Sequence, residues 1–384
     1  MITEAQMKKI LLTALLLSTA ARAEVSFTPY GFIKASAIYA DHALGSFNNI
    51  NLSAPTYAVA RTRGQDENSR TSFQTAQSRL GVVVKKSDAL SGRFEFDFID
   101  FTKSSPTTQM VPRVRRAVVT YKGDNWSTDI GQDWDLFSPT NGYTYDIVGM
   151  YFNAGNTGFQ RQQAQFHQLV GSWELSAALG MATANPGVSD TDLEYSNAPT
   201  YALRAQNTTD ASKYGVSAIY SRLKYATVDN SRHESWGTSA YVEHEVPSFG
   251  VKAEAFYGQN LGNLGTLSLA RGTATTDLKE YGGFISAQKT LDDSWKIFGG
   301  VGMDQIENKQ DLLPFALTAA GSVGPTTTGI RRNFLSRLGV EKLIEQDFTW
   351  VLEISRYETN SKLAANSYRT EVAHSLETGI LWKF

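Results

Sequence analysis

The sequence predicts an all-β fold, a transmembrane antiparallel β-barrel of about sixteen strands. The first observation is an alternation of apolar and polar residues that recurs along the whole chain. The second is that no run of ~20 consecutive apolar residues follows the N-terminal segment, which excludes a conventional transmembrane helix. The third is composition, because 17 Tyr, 20 Phe, 7 Trp and 31 Gly accompany only 10 Pro. That composition favours strands and turns over helices.

The N-terminal segment, residues 1–23, has the layout of a secretory signal peptide. Two adjacent lysines precede the apolar run Ile10–Leu17, and small residues follow it. The run is too short to span a bilayer as a helix. We therefore predict a cleaved signal peptide and, over residues 24–384, a single transmembrane β-barrel domain in the bacterial outer membrane. The chain has no Cys, so an exported form would gain no stability from disulfides.

The alternation identifies strands that have one apolar face and one charged face. In GRFEFDFID, three phenylalanines share one face, whereas Arg93, Glu95 and Asp97 share the other. The C-terminal stretch SYRTEVAHSLETGILWKF repeats the pattern and ends on the aromatic residue Phe384. We predict strands, in chain order, near residues 27–40, 70–85, 92–103, 112–122, 125–134, 158–170, 171–182, 199–207, 212–223, 235–246, 249–259, 278–290, 294–306, 330–344, 347–358 and 369–384.

The connections between these strands differ in length, as in a bacterial outer-membrane barrel. Short turns such as residues 122–125, 247–250 and 291–294 are expected on the periplasmic side. Longer polar stretches are expected outside the cell, and they occupy residues 42–69, 183–198, 260–277 and 308–329.

A soluble β-sandwich also alternates, but its apolar face forms the core. Here the polar faces carry charges of both signs where several strands must face one another. Aromatic residues near the predicted strand ends suit the two membrane interfaces, and they include Trp126, Trp134, Tyr214, Tyr220 and Trp382. We therefore expect the apolar faces to meet lipid and the charged faces to line a wet interior.

Composition and motifs argue against an enzyme and against a cofactor. The net charge of -2 gives no reason to expect a nucleic-acid partner. The five histidines are scattered without metal-ligand spacing, and no thiolate is present, so no metal or cofactor site is predicted. A lipid-active hydrolase would need a histidine beside a serine nucleophile, and His167 is the candidate to test.

One region resembles a known family. The stretches SRLGVVVKKSDALSGRFEFDF and RVRRAVVTYKGDNWSTDIGQDWDLFSP, within residues 78–140, resemble the DcaP-like family of outer-membrane porins, and YGFIKASAIYAD and the terminal Phe384 agree. The resemblance implies a homotrimer of barrels, each with an inward loop, that passes small anions such as dicarboxylates. Family members can carry a periplasmic helical extension. Here only a few residues separate Glu24 from the first predicted strand, so that feature does not carry over.

The candidate selectivity residues surround a long Gly-, Asn- and Thr-rich connection, residues 135–160. Long loops in compact folds tend to be functional, and arginines favour anions and carboxylates. The predicted pore-lining residues are Arg79, Arg93, Arg113, Arg115, Arg116, Asp146 and Arg161. Adjacent residues alternate on a regular strand, so Arg113, Arg115 and Arg116 should not all face inward unless one lies at a rim or a bulge.

Structural alternatives stay open for these residues. Arg93 also fits a cross-strand ion pair that only holds the barrel, and Asp146 also fits a solvated loop. A second group, Arg337 with Glu341 and Arg369 with Glu371, is expected to form a structural network on the opposite wall.

The predicted function is passive diffusion of small hydrophilic solutes through a porin, with outer-membrane lipids and two further subunits as partners. The alternative is a barrel of another kind, an adhesin or receptor that acts through its external loops, or a lipid-active enzyme. The outward phenylalanines Phe94, Phe96 and Phe98 suit a subunit interface and lipid equally well.

Overall fold

The computed structural model describes residues 25–42, 69–99, 111–146, 151–181, 199–224, 232–272, 276–312, 329–364 and 367–384. The predicted signal peptide and most of the long external loops lie outside these residues. The strands in the described part are β1 Ser26–Ala40, β2 Arg70–Gln74, β3 Arg79–Lys85, β4 Leu90–Asp97, β5 Arg113–Lys122, β6 Trp126–Trp134, β7 Gln160–Val170, β8 Trp173–Gly180, β9 Thr200–Thr208, β10 Ser212–Lys224, β11 Arg232–Val246, β12 Phe249–Gln259, β13 Lys279–Thr290, β14 Trp295–Ile306, β15 Ile330–Glu345, β16 Phe348–Ala364 and β17 Ser367–Lys383.

The strands form one closed antiparallel sheet. From β3 to β17 each strand pairs with the next in sequence, and β1 pairs with β17 to close the ring. Strands β2 and β3 pair with successive stretches of β1 and together occupy one position in the wall. The barrel thus has sixteen strand positions, and the prediction of an all-β antiparallel barrel of about sixteen strands is confirmed. The described residues contain no helix long and apolar enough to cross a membrane.

Polarity is inverted relative to a soluble β-protein. Apolar side chains on the outer face are exposed, as at Leu203 (59%) and Leu338 (66%), whereas inner-face carboxylates are buried, as at Glu254 (3%) and Glu353 (2%). Closure removes every sheet edge, so all strand amides and carbonyls can pair within the wall, as a hydrocarbon environment requires. The outer face therefore suits lipid and the inner face holds the polar groups.

One end of the barrel carries the tight turns and a belt of aromatic rings. Ring pairs at this end include Tyr121 with Trp126 at 5.7 Å, Trp173 with Tyr214 at 5.8 Å, and Trp382 with Phe384 at 6.3 Å between centroids. The terminal Phe384 exchanges two backbone hydrogen bonds of 3.1 Å with Gly31, which fixes the chain end against β1.

Trp134 differs from its predicted place in the aromatic belt. Its ring lies 5.7 Å from the guanidinium carbon of Arg115 and packs against a buried cluster that includes Phe152 and Leu267. Trp134 is the last residue of β6, at the end of the strand that leads into the long connection to β7.

Candidate channel site

Five arginines gather on the inner face of β3, β4 and β5, and we call them the arginine cluster: Arg79, Arg93, Arg113, Arg115 and Arg116. The cluster depends on a β-bulge, because Glu95 pairs with Arg116 while the next residue, Phe96, pairs with Val114. The extra residue, Arg115, changes the alternation of β5. Arg113, Arg115 and Arg116 therefore all reach the inner face, whereas Val114 is exposed on the outer face.

Three members of the cluster make close ion pairs. The Nη2 atom of Arg113 lies 2.6 Å from Asp97, and Arg115 donates from Nε to Glu95 at 2.8 Å. A second nitrogen of Arg115 lies 3.3 Å from Asp97. Arg116 reaches across to β6 and lies 2.7 Å from Asp133. These pairs fix the orientation of the guanidinium groups.

The other two members contact aromatic rings of β1. The guanidinium carbon of Arg79 lies 5.5 Å from the ring centroid of Phe32, and that of Arg93 lies 5.9 Å from the ring of Tyr30. The Tyr30 hydroxyl in turn donates to Glu95 at 3.1 Å. Among the described residues, Arg93 has no carboxylate within ion-pairing distance, which argues against the alternative that it serves only a cross-strand pair.

The cluster carries more positive than negative charge. The described part of this wall carries five arginines and four inner-face carboxylates, because Glu95, Asp97 and Asp133 are joined by Asp129, which interacts with Arg116 and His167. The excess of arginine on this wall is a property of the local arrangement, because the whole chain carries a net charge of -2.

We call the long connection between β6 and β7, residues 135–159, the inward segment. Its described parts, residues 135–146 and 151–159, pack against the inner face on the other side of the barrel. Its backbone amides donate to wall carboxylates: Thr140 to Glu254 at 3.2 Å, and Tyr145 to Glu353 at 2.8 Å. Ser138 has a φ of 52° and its hydroxyl also contacts Glu254. The segment thus follows the wall from β12 towards β16.

The first half of the inward segment, residues 135–146, reaches the strands β1 and β17 that close the barrel. The Tyr145 hydroxyl donates to the carbonyl of Ile380 on β17 at 3.0 Å. The Tyr145 carbonyl accepts a hydrogen bond of 2.8 Å from the Nζ of Lys34 on β1, and Lys34 also lies 2.9 Å from Glu377. Residues 135–146 therefore contact both partners of the closing strand pair.

Asp146 lies at the end of this first half and is bound to the wall. It accepts from the amide of Gln77 at 2.8 Å and lies 3.5 Å from Nη2 of Arg337. Arg337 is buried and also lies 3.3 Å from Glu353. Asp146 therefore does not have the freely solvated position of an ordinary surface loop. The pairs expected on this wall are seen in part, because Arg369 lies 3.1 Å from Glu371, while Glu341 pairs with Lys296 at 3.8 Å.

The second half of the inward segment, residues 151–159, packs against a further connection that contains the short 3-10 helix Leu261–Leu264. Arg161, just after the segment, joins the two by donating to Asp135 at 2.7 Å and to the carbonyl of Leu264 at 2.7 Å. Its side chain is 4% exposed. Arg161 is therefore placed as a link between two folded-in connections and is apart from the arginine cluster.

The sequence prediction missed the wall residues that hold the inward segment, namely Lys34, Gln77, Glu254, Glu353 and Glu377. The inner-face position of Glu254 and Glu353 follows from strand alternation. Their hydrogen bonds to the amides of a segment more than a hundred residues away had no signal in the sequence.

His167 has a serine beside it, as the hydrolase alternative would require. Its Nδ1 lies 2.8 Å from the Ser176 hydroxyl, and its two ring nitrogens lie 3.6 Å from Glu174 and 3.5 Å from Asp129. The Ser176 hydroxyl, however, is 3.1 Å from Glu174 and donates to it. A carboxylate therefore holds the proton that a histidine base would need to take.

Comparison with known proteins finds similarity in structure alone. No protein-family model matches the chain, and no curated protein matches it in sequence. The outer membrane channel DcaP of Acinetobacter baumannii is similar with a TM-score of 0.70 and 13% identity, over 95% of this chain and 99% of that one. OmpF of Salmonella typhi, in complex with daunomycin, has a TM-score of 0.58 and 12% identity over 93% and 97% of the chains.

A trimer form of the outer membrane protein OmpT of Vibrio cholerae is also similar, with a TM-score of 0.53 and 12% identity over 94% and 99% of the chains. Full-length coverage in all three comparisons means that the likeness extends around the whole barrel. The resemblance to DcaP inferred from residues 78–140 is thus supported at the level of fold. The chain has the fold of the sixteen-stranded outer-membrane channels, and DcaP is one of the structures that share it.

Proposed function

We propose that this chain is an outer-membrane porin that allows passive diffusion of small hydrophilic solutes, with preference for anions such as dicarboxylates. The observation that carries the proposal is the arginine cluster, five guanidinium groups on the inner face of neighbouring strands that outnumber the carboxylates beside them. Uncompensated charge lining a narrow, wet passage biases which ion enters it.

The inward segment supplies the opposite side of the passage in this proposal. It contains two acidic residues, Asp135 and Asp146, and no lysine or arginine. Both acids are paired with arginines of other elements, Arg161 and Arg337. A nearly neutral segment would narrow the passage without cancelling the positive charge of the cluster.

Carboxylates fit this arrangement better than halide ions do. A guanidinium group presents two parallel donors that match the two oxygens of a carboxylate. Arg113 and Arg115 already direct donors to Asp97 and Glu95. Arg93, without a carboxylate partner in the described part of the chain, is the member best placed to exchange its water for a passing carboxylate, and Arg79 adds to the local field.

We further propose that the mature protein begins after residue 23 and assembles as a homotrimer in the outer membrane. The trimer form of the structurally similar OmpT supports the assembly. The outer-face rings of Phe94, Phe96 and Phe98 form a continuous row, with centroid separations of 6.2 and 5.8 Å, that would suit contact with a second copy.

Single-channel recording of the refolded protein in a planar bilayer, with the reversal potential measured under a salt gradient, tests the proposal. We expect open steps that occur in threes and a reversal potential that shows anion preference. Steps with cation preference would keep the channel and contradict the role of the arginine cluster. A folded barrel that gives no steps would contradict the porin proposal.

A further inference from the structure

A second cluster of polar residues lies on the inner face and has no role in the proposed ion selectivity. It comprises Glu280 on β13, Asp304 on β14 and Asn333 on β15, at the end of the barrel that carries the long connections. Their exposed fractions are 0%, 0% and 1%. Asp304 is directly opposite Asn333 in the sheet and opposite Gly282 on the other side, two residues from Glu280.

Each carboxylate uses one oxygen to hold a folded-in connection. Oε2 of Glu280 accepts hydrogen bonds of 3.0 Å from the amides of Leu269 and Ala270. Oδ1 of Asp304 accepts a hydrogen bond of 2.7 Å from the amide of Gly155 in the inward segment. Two connections that are distant in sequence are therefore hydrogen-bonded to neighbouring acids of the wall.

The remaining polar atoms of the group lack hydrogen-bond partners. This holds for Oε1 of Glu280, Oδ2 of Asp304, and both the oxygen and the nitrogen of the Asn333 side chain. Buried polar side chains in native proteins are nearly always hydrogen-bonded, so four such atoms on three adjacent strands call for a ligand. Asn333 supports a ligand independently of the two acids, because it is neutral, buried and not hydrogen-bonded to either connection.

Charge also favours a ligand, and specifically a cation. Glu280 and Asp304 are close enough to repel each other, and Arg271 is the cation that interacts with Glu280 in the described part of the chain. A cation beside both carboxylates would favour their ionised forms and remove that repulsion. Burial of an unpaired charge is costly, and a water molecule would satisfy the oxygens without neutralising them.

We propose that Glu280, Asp304 and Asn333 form a binding site for a divalent cation of the Ca²⁺ type. The donors are two carboxylates and an amide oxygen, with the Ser268 hydroxyl beside Glu280 as a further oxygen. Ca²⁺ prefers such oxygen donors and completes its coordination shell with water or backbone carbonyls. The described residues contain no group of three His, Cys, Asp or Glu arranged for a metal, so the site relies on neutral oxygens.

A cation here would fix the inward segment and the connection after β12 to the same point of the wall. The bond of Asp304 to Gly155 and those of Glu280 to Leu269 and Ala270 would be held by one ion. Because the ion binds the folded barrel and not the unfolded chain, it should stabilise the folded state by mass action.

Titration calorimetry with CaCl₂, on the refolded protein in lipid-free detergent, tests the proposal directly. We expect a saturable isotherm and a thermal midpoint about 5 °C higher in excess Ca²⁺ than in EGTA. Asp304→Asn and Glu280→Gln should abolish both effects. Neither measurement needs a conducting membrane, so the result is separate from the outcome for the porin proposal.

Two further variants keep the test decisive if the charge-removing variants fold poorly. Asn333→Ala retains both carboxylates and should weaken Ca²⁺ affinity. Glu243→Gln removes an inner-face carboxylate that Lys213 already pairs at 2.6 Å, and it should bind Ca²⁺ as the wild type does. A wild type with no isotherm and equal midpoints in Ca²⁺ and EGTA would overturn the site. So would Ca²⁺ binding of unchanged affinity in the Asp304, Glu280 and Asn333 variants.

Discussion

Carboxylates have different contacts on the two sides of the barrel interior. On β3 to β6, carboxylates pair with arginines that outnumber them. On β12 to β17, inner-face carboxylates such as Glu254 and Glu353 accept hydrogen bonds from the backbone of the inward segment. Acids on the first side orient cations, whereas acids on the second side hold a folded-in connection.

The difference shows that facing inward does not by itself make a charged residue part of the passage. Glu353 (2% exposed) and Glu95 (8% exposed) both face inward and are buried, but Glu353 accepts a backbone hydrogen bond from the inward segment, whereas Glu95 pairs with Arg115. The two carboxylates differ in what they contact, a folded-in backbone in one case and a guanidinium group in the other. The predictions below test this contrast, in order of decreasing expected effect.

Removal of the inward segment should have the largest effect. Replacing residues 136–158 by a short Gly-Ser linker should raise single-channel conductance on the order of two-fold or more, because the narrowing element is gone. Planar-bilayer recording measures this. An equally long change in the connection at residues 307–329 serves as the control, and unchanged conductance in the deletion variant would contradict the proposed constriction.

Breaking the contact between segment and wall should cost less. Glu353→Gln removes the charge that faces buried Arg337 and weakens the bonds from Thr144 and Tyr145, so we expect a loss of about 3 kcal/mol in the free energy of unfolding. Urea unfolding measures the loss. The matched variant Glu341→Gln affects an exposed pair of 3.8 Å and should cost under about 1 kcal/mol. Equal losses of unfolding free energy in the two variants would contradict the role of Glu353 in holding the inward segment.

Neutralising two members of the arginine cluster should change ion selectivity with little change in pore size. Arg93→Gln combined with Arg116→Gln should shift the ion permeability ratio towards cations by roughly three-fold, because two charges near the passage are lost. The reversal potential under a salt gradient measures the ratio. Lys289→Gln removes a charge from the outer face and should leave the ratio unchanged. An unaltered permeability ratio in the double variant would contradict the assignment of these arginines to the wall of the passage.

The smallest effect is expected at the edge of the inward segment. The Tyr143 hydroxyl donates to the exposed carboxylate of Glu245 at 2.6 Å. Tyr143→Phe should lower the free energy of unfolding by under about 1 kcal/mol, because water can replace an exposed hydrogen bond. Urea unfolding again measures the change. A loss as large as that of Glu353→Gln would show that the segment is held mainly at its edge.

Much of the wall was predictable from strand alternation. The predicted segment 249–259 coincides with β12, and 294–306 differs from β14 by one residue. The prediction of 92–103 differs at both ends: β4 begins at Leu90 and ends at Asp97, and residues 100–103 lie outside the described residues. The alternation of a two-residue period is strong wherever one face meets lipid, and it fades where a strand leaves the membrane and joins a loop.

The arginine cluster was predictable in composition but not in orientation. The sequence places Arg113, Arg115 and Arg116 on one short stretch, and strict alternation would have directed one of them to lipid. The bulge at Arg115 brings all three to the inner face, and it is defined by the pairing of β5 with β4. Cross-strand register depends on both strands, so one segment read alone does not specify it.

The sequence by itself determined the barrel, its approximate strand number and the polarity of its two faces, because these follow from the local two-residue period and from the absence of long apolar runs. Only the tertiary structure decided which charges are covered. Arg161, Asp146 and Glu353 owe their surroundings to contacts with elements far away in the chain. Local patterns fix which face a side chain takes, whereas long-range packing fixes what lies against it, and the second depends on closure of the whole sheet.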